Sequence, residues 1–143
     1  KCWGKGGYRL NTGEALAALP AVTHPLQLVT GFVNACVLDE TPDGNTVLCW
    51  GRYGSALTGL DLTTLVHPLQ VDVDWGNVCV VDEQLEGTVV LCGGDDSEGQ
   101  LNIPLLVNPR HVSIGYLHIC ATDDLGVHCW GADGSGQSTV PAF

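Results

Sequence analysis

Basic residues and long apolar runs are both scarce in this chain, and each scarcity removes a class of function. The 143 residues include only 5 Lys and Arg against 16 Asp and Glu, which gives a formal net charge of −11. A protein that binds DNA or RNA needs a basic surface to neutralise phosphates, so we expect no nucleic-acid partner. No apolar run reaches the roughly 18 residues of a membrane-spanning helix, so we expect no membrane insertion.

Motifs for catalysis and metal binding are also missing. Gly134-Ser135-Gly136 lacks the strand-turn-helix context of a nucleophile elbow. No Cys-x-x-Cys spacing favours zinc and no Asp-x-Asp-x-Asp-Gly loop favours calcium, so we expect no metal and no cofactor. His118 and His128 fall on opposite faces of the hairpin predicted below, which argues against a shared metal. The sequence therefore predicts a non-enzymatic protein, with a hydrolase as the least favoured alternative.

An internal repeat dominates what the sequence does contain. Pro25, Pro68 and Pro109 begin equivalent segments and lie 43 and 41 positions apart. Two cysteine series accompany these prolines, namely Cys36, Cys79 and Cys120, and then Cys49, Cys92 and Cys129. The chain therefore divides into a partial repeat and three full repeats, with the boundaries 1–25, 26–68, 69–109 and 110–143.

Each repeat has the local pattern of β structure. In the first full repeat, the apolar runs 35–38 and 46–50 flank the segment Thr41-Pro42-Asp43-Gly44-Asn45. Pro fixes its own φ and Gly accepts a positive φ, so this segment predicts a hairpin turn. The same reading gives about four short antiparallel strands per repeat. The predicted fold class is all-β.

Six of the seven cysteines flank the predicted hairpin turns. Opposed residues on antiparallel strands lie roughly 4.5–5.5 Å apart at Cα, which a disulfide can span. We therefore expect three disulfides, which join Cys36 to Cys49, Cys79 to Cys92 and Cys120 to Cys129. Buried free thiols and zinc ligands are the alternatives. Disulfides would indicate a secreted or cell-surface protein.

Cys2 is left over from this pairing. Its partner by repeat spacing would precede residue 1, so we expect Cys2 to be unpaired or to form an intermolecular bond.

A Cys-Trp-Gly sequence followed by a Gly-rich turn recurs along the chain. It is clearest from Cys120 to Gln137, and it loses its Trp at Gly93. This spacing resembles the regulator-of-chromosome-condensation repeat family, in its Cys-rich extracellular variant. The resemblance implies a β-propeller with four-stranded blades, and its members serve as protein-binding platforms. Propellers need about 4–8 blades, so three full repeats would require upstream repeats or the assembly of several chains.

Aromatic residues supply the candidate partner contacts. Trp3, Trp50 and Trp130 share one repeat position, which favours packing in the core. Trp75 lies outside that series, and we predict that Trp75 or Tyr53 contacts a partner. The favoured function is an extracellular scaffold that binds protein or self-assembles, with copies of itself in a homo-oligomer or open array as the expected partner. A carbohydrate-binding, lectin-like module is the alternative.

Overall fold

A computed structural model describes residues 21–51 and 59–142. The strands in these ranges are β1 His24–Thr30, β2 Asn34–Thr41, β3 Gly44–Gly51, β4 Pro68–Asp74, β5 Asn77–Gln84, β6 Gly87–Gly94, β7 His111–Ile114, β8 His118–Asp123 and β9 Gly126–Gly131. The helical content of the described ranges is one 3-10 turn, Leu62–Thr64. Nothing helical in them approaches the length and apolarity needed to cross a bilayer.

The strands form three antiparallel sheets, each of three strands in chain order. Sheet 1 contains β1, β2 and β3, sheet 2 contains β4, β5 and β6, and sheet 3 contains β7, β8 and β9. The prediction of an all-β fold is thus confirmed. The second and third strands of every sheet meet in a two-residue hairpin. A glycine follows each two-residue loop and begins the third strand of the sheet. These glycines are Gly44, Gly87 and Gly126, and their φ values of 117°, 123° and 135° would strain an L side chain.

Three strands per sheet is fewer than the four predicted from the sequence. After β6 the described chain makes turns, because side chains accept the backbone hydrogen bonds that a strand ladder would use. The Leu101 N–H, for example, donates to Asp96 Oδ1 at 2.8 Å. Pro104 further along has no N–H to donate to a strand ladder. The three described sheets do not close into a ring.

The hydrophobic core lies on both faces of sheet 2. In the uninterrupted apolar run of β5, Val78 and Val80 pack in a cluster with residues of sheet 1. Cys79 and Val81 point to the other face and pack with residues of sheet 3. Alternate residues of a strand point to opposite faces, so a strand buried on both sides is apolar throughout.

Polar side chains join each sheet to the next. The Gln70 carboxamide pairs with the backbone of Val112. Gln70 Oε1 accepts from the Val112 N–H, and Gln70 Nε2 donates to the Val112 carbonyl, both at 2.8 Å. Gln27 Oε1 accepts from the Val71 N–H at 3.0 Å. Asp72 Oδ2 accepts from the Ile114 N–H at 2.8 Å. These bonds satisfy backbone groups on β4 and β7, each the first strand of its sheet, and thereby fix neighbouring sheets relative to one another.

Candidate interaction surface

The connections between the first and second strands of the three sheets lie side by side and define what we call the turn edge. Residues 31–33, 75–76 and 115–117 form these connections. Hydrogen bonds that involve side chains link the first two: the Asn34 amide Nδ2 donates to the Trp75 carbonyl at 3.1 Å. The other ends of the sheets carry the two-residue hairpins, and we call them the hairpin edge.

Each connection at the turn edge carries one aromatic residue, and the three side chains form a continuous aromatic row. The rings of Phe32 and Trp75 stack with centroids 5.3 Å apart and an interplanar angle of 27°. The Tyr116 ring meets Trp75 edge-on, with centroids 5.1 Å apart and an angle of 67°. Both arrangements are favoured by the ring quadrupole. The exposed fractions are 64% for Phe32, 37% for Trp75 and 58% for Tyr116.

The backbone at the centre of the row adopts an unusual conformation. Trp75 has a φ of 37°, in the left-handed region that bulky residues rarely occupy. Asp74 Oδ1 supports this geometry by accepting from the Trp75 N–H at 2.8 Å and from the Phe32 N–H at 3.2 Å. Such strain persists only where surrounding contacts impose it, and it concentrates at functional sites. The hydrogen bonds of Asp74 therefore help to hold the Trp75 backbone in a conformation that carries a free-energy cost.

The sequence prediction named Trp75 and missed its two neighbours. Phe32, Trp75 and Tyr116 keep the same spacing as the repeat prolines, so each occupies one repeat position. A search for recurring residue identities passes over this series because its three members differ in type. Tyr53, the other predicted partner contact, lies outside the described residues, as does Cys2.

The six remaining cysteines form three disulfides, each between directly opposed residues of a hairpin. The Cα–Cα distances are 4.1 Å for Cys36–Cys49, 4.2 Å for Cys79–Cys92 and 4.1 Å for Cys120–Cys129. These are the pairs expected from the repeat spacing. Disulfides of this kind persist outside the reducing cytosol, so they point to an extracellular or surface location.

Aspartate carboxylates of the described chain accept hydrogen bonds from nearby groups of the chain itself. Asp133 Oδ1 accepts from the Ser138 N–H at 2.8 Å, and this bond, with that from the Thr139 hydroxyl, lowers the pKa of Asp133. Burial alone would raise the pKa of Asp39, but hydrogen bonds from Thr23 and His24 hold that pKa below its usual value. Across residues 21–51 and 59–142, no group of three or more His, Cys, Asp or Glu is placed to hold a metal ion.

The two histidines considered as a metal pair lie apart in sheet 3. His118 opposes Gly131, on the face that Cys120 shares, whereas His128 opposes Ala121 on the other face. His128 Nε2 lies 3.1 Å from Asp123 Oδ1, so its ring is used within the hairpin. Trp130, predicted to pack in the core, is buried there, and its indole N–H donates to the Gln100 carbonyl at 2.8 Å.

Solved structures of two plant receptor kinase ectodomains are similar to this chain. The entire ectodomain of the Physcomitrella patens receptor kinase CR4 aligns with a TM-score of 0.55 and 20% identity, over 75% of this chain and 29% of that chain. The CRINKLY WD40 ectodomain of the Arabidopsis thaliana receptor kinase ACR4 aligns with a TM-score of 0.54 and 24% identity, over 75% of this chain and 36% of that chain. This chain thus spans about a third of those ectodomains, and the likeness concerns the fold. No protein-family model and no curated protein sequence matches.

These findings correct the family suggested by the sequence. The assignment to the regulator-of-chromosome-condensation repeats is wrong, since no family model supports it and the similar structures are receptor kinase ectodomains. The resemblance rested on Cys, Trp and Gly anchors. In the structure Cys129 forms a hairpin disulfide, Trp130 packs on the neighbouring sheet, and Gly131 has a φ of 96°. Any disulfide-linked hairpin that ends in a tight turn can place Cys, Trp and Gly in these roles. The recurring Cys, Trp and Gly residues therefore indicate a local structure and do not identify a family.

Proposed function

We propose that the chain is a non-enzymatic, extracellular protein-binding domain whose aromatic row contacts the partner. The observation that carries this proposal is the exposure of three adjoining aromatic rings on one edge of a disulfide-linked scaffold. Aromatic residues are enriched at binding hot spots because each buries a large area at a small entropic cost. The similarity to receptor ectodomains supports an extracellular, protein-binding role.

The scaffold in this proposal is a propeller-type array of repeats. The boundaries 1–25, 26–68, 69–109 and 110–143 then separate one partial and three full units, and a described sheet begins within two residues of the start of each full unit. Support comes from the regular stacking of three sheets and from the likeness to a WD40 ectodomain. WD40 repeats form propeller blades.

A binding screen with matched variants tests the protein-binding role. The wild-type chain is applied to an array of purified secreted and cell-surface proteins, beside the row variant Phe32→Ser/Trp75→Asn/Tyr116→Ser. Asn is chosen at position 75 because it tolerates a positive φ. The control variant Leu85→Ser/Leu125→Ser removes two exposed apolar residues at the hairpin edge. We expect the row variant to lose the bound partners and the control to retain them; equal binding by both would refute the proposal.

Self-association is a finer form of the same proposal, in which the bound protein is another copy of the chain. Native mass spectrometry with and without reductant tests it. An assembly that resists reductant supports non-covalent self-association, and a dimer that reductant dissolves implicates Cys2. A monomer under both conditions refutes self-association and leaves binding to a different protein as the proposed function.

A further inference from the structure

We infer that the aromatic row receives a cationic, arginine-containing segment of the partner protein, an inference that rests on the proposed function and names its ligand chemistry. The face of an aromatic ring carries negative potential, and a guanidinium within about 6 Å of the ring centre is attracted to it. Phe32 and Tyr116 flank Trp75 in the row, and each is more than half exposed. A cationic side chain can therefore reach either of these rings from solvent.

Carboxylates accompany the rings at the turn edge. Asp74 directly precedes Trp75, with Oδ1 accepting from the N–H groups of Phe32 and Trp75 and Oδ2 accepting no hydrogen bond from the described residues. The Asp95 N–H donates to the Gly76 carbonyl at 3.2 Å, which places Asp95 against the connection that carries Trp75. Asp96 follows and is exposed. The negative ring faces and these carboxylates would attract the same ligand charge.

The described chain brings no lysine or arginine to this edge. Arg110 is the only Lys or Arg in the ranges 21–51 and 59–142, and its guanidinium pairs with Asp124 at the hairpin edge. The whole chain carries a net charge of −11. Two copies that met through this edge would bring like charges together, whereas a basic segment would be attracted from a distance.

Arginine suits this surface better than lysine does. Its planar guanidinium can stack on a ring and form hydrogen bonds to a neighbouring carboxylate in the same pose. Lysine is a compact, strongly hydrated charge that makes the ion pair but stacks less well. The row therefore predicts a preference between two peptides of equal charge, which a purely electrostatic surface would not show.

Fluorescence polarisation with short labelled peptides tests the inference. One peptide alternates arginine with serine, and matched peptides replace every arginine by lysine or by glutamate. We expect the arginine peptide to bind more tightly than the lysine peptide and the glutamate peptide not to bind. The row variant should bind the arginine peptide at least about tenfold more weakly, since it removes all three rings that can accept a cation–π contact. The hairpin-edge control should bind it as the wild type does.

Three results would overturn the inference. One is equal binding of the arginine peptide by the wild type and the row variant, and another is equal affinity for the arginine and lysine peptides. The third is row-dependent binding of neutral oligosaccharides without binding of the arginine peptide, which would favour the carbohydrate-binding alternative. If the row variant does not fold, Tyr116→Ser alone removes one exposed ring and gives the same comparison.

The outcome is separable from that of the proposed function. If arrayed proteins bind through the row and the arginine peptide does not, the cationic ligand is wrong and protein binding stands. If arrayed proteins bind equally well to the row variant, the proposed function itself is wrong. Binding of the arginine peptide is also measured at about 1 M salt, where the electrostatic screening length is about 3 Å. Long-range attraction is lost there but stacking remains, so we expect weaker binding that still depends on the row.

Discussion

At the residue scale, one buried aspartate per sheet holds the chain where it enters that sheet. Asp82 is fully buried at the end of β5, and its carboxylate accepts from the N–H groups of Val66 and His67 at 3.1 and 2.9 Å. Asp39 and Asp123 occupy the same position in the neighbouring sheets and make equivalent bonds. The sequence shows these aspartates as a recurring position, but their bonding partners lie 15 or more residues away in the chain.

Replacing Asp82 by alanine should therefore lower the free energy of unfolding more than replacing its exposed neighbour Glu83 does. The change leaves two backbone N–H groups without their charged acceptor, so we expect the free energy of unfolding to fall by roughly 1.5–3 kcal/mol. Glu83→Ala is the matched control, because the exposed Glu83 bonds to the exposed His67 ring and should cost under about 1 kcal/mol. Urea denaturation of both variants checks this, and equal losses would show that Asp82 does not anchor the entering segment.

The same position should give the fold a measurable acid dependence. The hydrogen bond from the Val107 N–H, together with those from Leu125 and His128, holds the pKa of Asp123 below its usual value. A carboxyl with a depressed pKa stabilises the fold above its unfolded pKa and loses that contribution as the pH falls through the folded pKa. We therefore expect the free energy of unfolding to decline below about pH 4.

Asp123→Asn should be less stable than the wild type at pH 7 and should show a shallower decline below about pH 4. The decline should not vanish, because the pKa of Asp39 is lowered in the same way. Denaturation at a series of pH values measures both slopes. Parallel curves for the two proteins would show that Asp123 does not contribute to acid sensitivity.

At the scale of the elements, side chains complete the edges of the first strand in successive sheets. Gln70 supplies both a donor and an acceptor to Val112, as a further strand would, and the bonds are buried. Gln70→Met keeps a similar side-chain size but leaves two buried backbone groups unsatisfied. We expect it to lower the free energy of unfolding by roughly 2–6 kcal/mol, from about 1–3 kcal/mol for each of the two groups.

Gln27→Met provides the graded comparison for this prediction. Gln27 accepts one backbone hydrogen bond, from Val71, and it is only partly buried, so its loss should be smaller. Chemical denaturation of the two variants compares them directly. A loss at Gln27 equal to or greater than that at Gln70 would mean that the paired hydrogen bonds do not hold the sheets together.

The sequence could predict those features of the fold that depend on neighbours in the chain. The turn at Pro42 to Gly44 is local, and the disulfide positions follow from symmetric spacing about each turn. The described chain after β6 does not form the fourth strand that was expected, because Asp96 and Pro104 favour turns over a ladder in that segment. The aromatic row and the Gln70 bridge depend on contacts more than 40 residues apart, which no local pattern reveals.

At the scale of the whole molecule, sheet 2 shares a core with each neighbour, and this predicts an asymmetry between the disulfides. Arrays of this kind gain stability from each unit and from each interface between units. Cys79 belongs to the core shared with sheet 3, and Val78 and Val80 of the same strand belong to the core shared with sheet 1. Sheet 3 is bonded through Gln70 and Asp72 to sheet 2. A weakness in sheet 2 should therefore reach both neighbours, whereas a weakness in sheet 3 should remain largely within it.

Hydrogen exchange of two double variants tests this asymmetry. Cys79→Ala/Cys92→Ala removes the central disulfide and should cost about 2–4 kcal/mol, with faster amide exchange in β2, β5 and β8 alike. Cys120→Ala/Cys129→Ala removes the disulfide of sheet 3. That disulfide closes a shorter loop than the central one, with a sequence separation of 9 instead of 13. Its removal should cost less and accelerate exchange mainly in β8 and β9. If the central variant changed exchange only in β5 and β6, the sheets would be independent units, and Gln70 and the shared cores would not couple them.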